Sequence, residues 1–191
     1  MNAPSRSTIA LVAGKKESGK TRLVKRGLAL VTRWVAWDIK GEYALTTVGV
    51  PGARCWFDLR EFFMHLRSGG IVEREVFACP STQFNTWCKW VARTGNLVVV
   101  IEELGRHCAN GRVPPPLFDL FDRSRHLPID LIVTTARVER VPKDLRAQVD
   151  ELLLSRHSEP TDLAYLESWL GGPARLRVET LQPGHFLRFR P

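Results

Sequence analysis

The chain has 191 residues, of which 44% are hydrophobic, and it carries a formal net charge of +8 at neutral pH. This length supports one buried core and excludes two full-sized domains, so we expect a single domain over residues 1–191 with a flexible amino-terminal segment at 1–7. The longest strongly apolar run, residues 97–101, is too short to cross a bilayer, and the four cysteines lack C-x-x-C spacing, which predicts a soluble protein with reduced, mostly buried thiols.

Hydrophobic periodicity alternates between the strand and helix patterns along the chain. A strand at about 8–13 and a helix at about 20–32 come first. The elements that follow are strands near 34–38 and 54–57, a helix near 59–66, a strand near 75–78, a helix near 82–93, a strand at 97–101, a helix near 117–125, a strand near 129–134, a short helix near 143–149, a strand near 152–155, a helix from about 160, and strands near 176–179 and 185–190. Turns are expected at 171–173 and 182–184. This alternation predicts an α/β fold in which 97–101 is a central strand of a parallel sheet.

Residues 14–21 lie between the first strand and the first helix in the order that is typical of a P-loop. Glycines in such a loop let backbone N–H groups surround phosphate oxygens at the positive end of a helix. Lys20 is expected to reach the β- and γ-phosphates, and the Thr21 hydroxyl to bind Mg²⁺. The predicted nucleotide site comprises Gly14, Lys15, Lys16, Glu17, Ser18, Gly19, Lys20 and Thr21.

Two acids, Glu102 and Glu103, follow the apolar strand at 97–101. Acids at the carboxyl end of a strand beside a P-loop can hold Mg²⁺ and orient the attacking water. We assign Glu102 to the metal, through its water shell, and Glu103 to the water. Aspartate is usual at the first position, and the longer side chain of Glu102 leaves open an exchange of the two roles.

Residues 37–43, W-D-I-K-G-E-Y, follow the second strand and resemble the D-x-x-G-E-Y signature of the FtsK/HerA superfamily of DNA-pumping ATPases. The P-loop, the acid pair and residues 125–137 occur in the order of that superfamily, and 125–137 is similar to its arginine, turn, strand and T-Q-R ending. Because the chain is short and shows no membrane or linker segment, residues 8 to 170 most resemble the genome-packaging ATPases of membrane-containing icosahedral viruses.

The resemblance implies a RecA-like P-loop NTPase, that is, a three-layer α/β sandwich with a mainly parallel central sheet. It implies an ATPase that uses ATP and Mg²⁺, forms a homo-oligomeric ring of five or six copies, and moves double-stranded DNA into a viral capsid. The implied partner is a capsid or a membrane packaging vertex. The implied location is the host cytoplasm during assembly, or the virion at that vertex.

The resemblance also suggests roles for several later residues. Arg125 aligns with the arginine finger that reaches a neighbouring subunit's γ-phosphate, and Arg123 is a competing candidate. Asp38 and Glu42 of the signature are further site candidates, although a polar turn after a strand would explain them as well.

In the segment Thr135-Ala136-Arg137, alanine stands where the superfamily has a glutamine that senses the γ-phosphate. An alanine side chain has no hydrogen-bonding group. The sensing role is therefore left to Thr134, Thr135 or Arg137, or it is weakened.

The positive charge and the many arginines favour a polyanionic partner. Residues 105–112 form a glycine-containing, cationic loop directly after the acid pair, which we expect to be flexible. Arg106 and Arg112 are the predicted contacts to a DNA backbone, in a salt-dependent manner that ignores base sequence.

Two alternative functions share the P-loop and the acids. A small-molecule phosphotransferase would need a lid with clustered arginines, and no segment clearly supplies one. A nucleotide-gated DNA-binding or assembly factor with little turnover would agree with the departures at Glu102 and Ala136.

Overall fold

The computed structural model describes residues 7–44, 49–108 and 111–190, so the predicted flexible segment falls outside it except for Ser7. The strands are β1 (Ile9–Ala13), β2 (Trp34–Trp37), β3 (Arg54–Trp56), β4 (Arg74–Phe77), β5 (Leu97–Ile101), β6 (Ile129–Thr135), β7 (Glu151–Leu154) and β8 (Leu187–Phe189). They form one eight-stranded sheet in the order β3-β4-β2-β5-β6-β1-β7-β8. All neighbours pair in parallel except β7 and β8, which are antiparallel.

The helices are α1 (Lys20–Leu28), α2 (Leu59–Arg67), α3 (Phe84–Thr94), α4 (Pro115–Ser124), α5 (Lys143–Arg146), α6 (Pro160–Leu170) and α7 (Gly172–Glu179). Apolar side chains of α1 pack on one face of the sheet, and those of the other six helices pack on the opposite face. Central strands alternate between the two layers, as period-two geometry requires: Trp34 and Ala36 face α1, whereas Val35 and Trp37 face the other layer. The predicted three-layer α/β fold with a mainly parallel sheet is confirmed.

An aromatic cluster fixes the end of β2, from which the signature segment leaves the sheet. Trp37 is fully buried, with ring centroids 5.2 Å from Phe84 and 5.5 Å from Trp87. Burial of each such side chain contributes about 1.5–3 kcal/mol. The position of the following residue, Asp38, is therefore set by the core.

The prediction of a strand near 176–179 is wrong, because these residues belong to α7. Pro173 suits the first turn of a helix, and residues 172 and 173 of the predicted turn at 171–173 already belong to α7. Ala174 and Val178 are four residues apart and are both buried, and Arg175 pairs with Glu167 of α6 at 2.5 Å. The alternation in Leu-Arg-Val-Glu is too short to separate a strand from one helical turn.

The four cysteines are free, and three of them are buried, as the sequence predicts. Within the described ranges, no helix has the length and apolar character needed to cross a membrane.

Candidate functional site

The carboxyl ends of β1, β2, β5 and β6 meet at one edge of the sheet, where ligands bind in parallel α/β folds. A cavity of about 500 Å³ opens there, and we refer to it as the nucleotide cavity. Its lining includes most of the residues predicted for nucleotide and metal binding, namely Lys16, Glu17, Gly19, Lys20, Thr21 and Glu102. It also includes the predicted water-orienting acid Glu103, the site candidates Asp38 and Glu42, and the predicted DNA contact Arg106. Ile39, Lys40 and Arg22 complete the lining.

The P-loop connects β1 to α1 and presents backbone donors to this cavity. Glu17 (φ 64°) and Gly19 (φ 95°) adopt left-handed conformations, which turn successive N–H groups toward a common centre. The N–H groups of Lys16, Glu17 and Gly19 have no partner within the described part of the chain. Helix α1 has neither a side-chain cap nor an acid in its first turn, so its positive end remains available to an anion.

Two later segments hold the loop in this shape. The Ser18 carbonyl accepts hydrogen bonds from the Ser155 hydroxyl at 3.2 Å and from the Gly184 N–H at 3.1 Å. A side chain on Gly14 would lie 2.8 Å from the Ser155 Cβ, so the close approach of the loop to the end of β7 requires glycine there. Ser155 and Gly184 are supporting residues that the motif alone does not identify.

The Lys20 side chain lies inside the loop and is buried. Its ammonium group donates to the carbonyl oxygens of Gly14 at 2.8 Å and Lys15 at 3.1 Å. Burial lowers the pKa of this amine, while Glu103 and Glu102 act in the opposite direction. An ammonium group has three donors, so Lys20 retains one for a phosphate oxygen.

Glu102 is surrounded by three hydroxyl groups. Its Oε1 accepts from Thr21 at 3.4 Å and from Tyr43, and its Oε2 accepts from Thr134 at 2.5 Å. Burial raises the pKa of Glu102, whereas the hydrogen bonds from Thr134 and Tyr43 lower it. Glu102 therefore stands beside Thr21, which is the arrangement expected of a shared oxygen-ligand site for Mg²⁺.

Tyr43 and Thr134 are contacts of Glu102 that the sequence did not assign. Tyr43 is fully buried, and desolvation raises the pKa of its phenol well above the ordinary value. The Asp38 carboxylate accepts from the backbone N–H groups of Lys40 and Tyr43, each at 3.1 Å, and so fixes the turn that delivers Tyr43. Burial raises the pKa of Asp38, and these backbone bonds oppose the shift. Glu42 lines the cavity and pairs with Lys40 at 3.8 Å.

Glu103 has a different environment from Glu102. Its backbone is left-handed (φ 52°, ψ 55°), which is uncommon for a residue other than glycine and occurs where surrounding contacts impose it. The Thr134 hydroxyl accepts from its N–H at 3.1 Å, and its Oε2 accepts from the Ala136 N–H at 3.3 Å. The other carboxylate oxygen has no hydrogen bond within the described residues, so Glu103 keeps a free acceptor at the cavity.

The three residues left open for γ-phosphate sensing lie in distinct places. Thr134 contacts the acid pair, as described. The Thr135 hydroxyl instead forms a turn, donating to the Arg137 carbonyl at 3.0 Å and accepting from its N–H at 3.2 Å. The Arg137 guanidinium points toward α6, with an ion pair to Asp162 at 2.7 Å. Thr134 is the one of the three that touches the acid pair.

Arg125 lies at the opposite edge of the sheet. It precedes β6, and it contacts Asp150 at 3.4 Å and the Gln148 carbonyl at 2.6 Å, both just before β7. In a parallel sheet, the starts of β6 and β7 are remote from the P-loop, so Arg125 is far from the nucleotide cavity of its own chain. Arg123 pairs with Asp119 on the exposed surface of α4 at 2.8 Å.

The loop that we expected to be flexible at 105–112 is packed in its first half. A 3₁₀ turn covers Leu104–Arg106, and His107 and Cys108 are buried. The His107 ring stacks on Phe84 with centroids 3.8 Å apart, because an imidazole is flat enough to join the aromatic cluster. Residues 109–110 lie outside the described ranges. Arg106 lines the nucleotide cavity, whereas Arg112 lines a separate depression beside α4.

Comparison with known proteins agrees with this architecture. The family model described as zonular occludens toxin (Zot) matches residues 8–158. The genome packaging NTPase B204 from Sulfolobus turreted icosahedral virus 2, in complex with AMPPCP, has a TM-score of 0.77 and 21% identity, covering 98% of this chain and 93% of that chain. B204 from Sulfolobus turreted icosahedral virus, described as a DNA-packaging ATPase, has a TM-score of 0.67 and 20% identity over 100% and 94% of the two chains. No curated protein matches the sequence.

The predicted resemblance to viral genome-packaging ATPases is confirmed at the level of the fold, since these solved structures share nearly the whole chain. The family match is independent of that likeness and spans most of the sequence, from before the P-loop to beyond β7. The chain therefore belongs to the zonular occludens toxin (Zot) family and has the P-loop NTPase fold.

Proposed function

We propose that this protein is a Mg²⁺-dependent ATPase that works as a homo-oligomeric ring and moves double-stranded DNA into a viral capsid. The observation that carries the proposal is the P-loop facing Glu102 and Glu103 across one cavity. The fold shared with B204, a genome packaging NTPase, supports the choice of packaging by analogy. A capsid or membrane packaging vertex is the proposed partner, in the host cytoplasm or on the virion.

Nucleotide binding falls to the P-loop. The free N–H groups of Lys16, Glu17 and Gly19 and the positive end of α1 would hold the phosphates, and Lys20 would reach the β- and γ-phosphate oxygens. Thr21 and Glu102 provide a hydroxyl and a carboxylate 3.4 Å apart, which suits Mg²⁺ with waters and phosphate oxygens as its other ligands. When bound, Mg²⁺ would neutralise charge on those phosphate oxygens.

Water activation falls to Glu103. Both oxygens of Glu102 are engaged by hydroxyl groups, whereas Glu103 keeps one free acceptor at the cavity. This asymmetry favours Glu102 as the metal-side acid and Glu103 as the group that orients the attacking water and accepts its proton. Catalysis would otherwise consist of positioning and electrostatic stabilisation.

Arg125 would act on a neighbouring subunit. It lies at the sheet edge opposite the P-loop, so an arginine finger at this position can serve only in trans. The ring would then form each complete site from two copies. Arg106, at the nucleotide cavity, is the better placed of the two DNA-contact candidates for coupling hydrolysis to a phosphate backbone.

Steady-state ATP hydrolysis with and without double-stranded DNA, at low and moderate salt, tests the proposal. The wild type should show stimulation by DNA that declines with salt, and Lys20→Ala should show no hydrolysis. Hydrolysis that is indifferent to DNA would contradict the motor and favour a small phosphate acceptor. Intact ATP binding with negligible turnover under all conditions would favour the nucleotide-gated factor.

A further inference from the structure

A second cavity, of about 460 Å³, opens beside the nucleotide cavity on the side of β6. It shares four lining residues with the nucleotide cavity, Glu103, Lys16, Lys40 and Arg106, and its own lining includes Ala136 and Arg140. Its basic lining residues are Lys16, Lys40, Arg106, Arg137 and Arg140. We refer to this space as the β6 cavity.

The β6 cavity has a strong excess of positive charge. Glu103 is the only acid among its described lining residues. Lys16 and Lys40 have only long, exposed pairings with their chain neighbours, at 3.9 and 3.8 Å. Such exposed pairs neutralise little charge.

Three arginines supply the remaining charge, and one of them, Arg137, is paired with Asp162 at 2.7 Å. The guanidinium groups of Arg106 and Arg140 make no ion pair within residues 7–44, 49–108 and 111–190. The backbone at Gly105 brings the two turns together, since a Cβ on Gly105 would lie 3.2 Å from the Arg140 Cβ. Unpaired guanidinium groups that converge on one cavity are suited to phosphate oxygens.

Alanine at position 136 contributes to the space. The Ala136 side chain is a single methyl group at the cavity wall, where the resembled superfamily has a glutamine. A longer side chain on the same Cβ would extend into the β6 cavity. The departure from the expected glutamine therefore leaves room for a ligand next to Glu103.

We propose that the β6 cavity is a binding site for a phosphate group outside the P-loop, with Arg106 and Arg140 as its main ligands. The proposal rests on the proposed function, because Glu103 then marks the place where the γ-phosphate is released. Phosphate leaving that place enters the β6 cavity without crossing the P-loop. A backbone phosphate of DNA has the same chemistry, and the test separates the two sources.

The test is a titration of inorganic phosphate by isothermal calorimetry, with and without saturating AMPPCP. The analogue would occupy the P-loop, so phosphate bound in its presence lies elsewhere. Arg140→Ala and Arg106→Ala should each weaken that binding by about tenfold, as expected for loss of a charged hydrogen bond. Arg67→Ala, an exposed position at the end of α2 with the same change in charge, should bind phosphate like the wild type.

Ala136→Gln is a second variant that adds volume instead of removing charge, and it too should weaken phosphate binding. Unchanged binding in Arg140→Ala and Ala136→Gln, or no phosphate bound beside AMPPCP, would overturn the proposal while leaving the ATPase function intact. Failure of AMPPCP itself to bind would overturn the proposed function. In that case the β6 cavity would be tested by titrating phosphate into the protein without nucleotide. Arg140→Ala should then remove a phosphate site that Lys20→Ala retains.

A competition with a short double-stranded DNA identifies the source of the phosphate. Displacement of inorganic phosphate by the DNA, stronger at low salt, would assign the site to the DNA backbone. Simultaneous binding of both would assign it to released phosphate, and the same arginine variants should then weaken product inhibition of ATP hydrolysis by phosphate.

Discussion

The Tyr43 hydroxyl donates a hydrogen bond to Oε1 of Glu102, joining residues 59 positions apart in the chain. This contact connects the signature segment after β2 to the acid pair after β5. Asp38 fixes the intervening turn through the backbone N–H groups of Lys40 and Tyr43. The signature thus has a structural purpose, which is to hold Glu102 at Oε1 while Thr134 holds it at Oε2.

Removing this hydroxyl should impair catalysis more than nucleotide binding. Tyr43→Phe keeps the buried ring but leaves Glu102 with one hydrogen-bond donor fewer. We therefore expect kcat to decrease about tenfold, which corresponds to about 1.4 kcal/mol, while KM for ATP changes little. The Mg²⁺ concentration for half-maximal activity should rise. Tyr165→Phe is the matched control, because Tyr165 is the chain's other tyrosine and stacks on Arg146 at 4.2 Å through its ring. Equal kcat values for Tyr43→Phe and the wild type would refute this positioning role.

Isosteric substitutions of the two acids should have different effects on hydrolysis and on the response to Mg²⁺. Glu103→Gln should abolish most hydrolysis, by about 10²-fold or more, while ATP binding stays near the wild-type value, because a neutral amide cannot accept the proton of water. Glu102→Gln should instead weaken the response to Mg²⁺, since a ligand charge is lost next to Thr21. Fluorescent-nucleotide binding and Mg²⁺ titrations measure the two effects. The reverse pattern would show that the roles are exchanged.

Arg125 should act across a subunit boundary. Arg125→Ala and Lys20→Ala should each be inactive alone, but a mixture should regain part of the DNA-stimulated activity, because some interfaces combine an intact P-loop with an intact arginine. The half-exposed pair of Arg125 with Asp150 is worth at most about 1 kcal/mol, so the variant should fold. Arg123→Ala, on the same helix end, is the control and should keep its activity. Mixtures without any recovered activity would count against a trans-acting Arg125.

His107 should make stability depend on pH between about 6.5 and 4. Burial against Phe84 lowers the pKa of His107 from 6.5 to about 4, so the unfolded chain binds this proton at a higher pH than the folded chain does. The free energy of unfolding should therefore decrease as the pH falls through this window, by up to about 3 kcal/mol.

His107→Phe should reduce that decrease, because it keeps an aromatic ring without a titrating group. Urea unfolding at pH 7 and pH 4.5 measures the difference, and His126→Phe at an exposed position serves as the control. Identical pH profiles for His107→Phe and the wild type would contradict a buried, neutral imidazole.

Local sequence was sufficient to predict the P-loop and most strands of the sheet. The P-loop is predictable because its glycines and its lysine all lie in one contiguous segment. The buried strands are predictable because they are apolar runs such as 97–101. Short or ambiguous segments were less well determined: four alternating residues predicted a strand where α7 forms, because only packing against α6 selects the helix. The functional roles assigned to Glu102, Glu103 and Arg125 stay predictions.

Contacts between distant segments required the tertiary structure. Thr134 and Thr135 are adjacent in sequence, yet only Thr134 contacts the acid pair. Successive side chains of a strand point in opposite directions, so only one of the two can face Glu102. The register of β6 against β5 decides which one it is. His107 reads as a loop residue in sequence and is packed on an aromatic cluster in space. The sequence by itself determined the phosphate-binding loop and the order of the strands along the chain, since these depend on neighbouring residues. Only the tertiary structure decided which hydroxyl groups hold Glu102 and which arginines converge beside Glu103, since those contacts depend on how strands far apart in the chain are placed side by side.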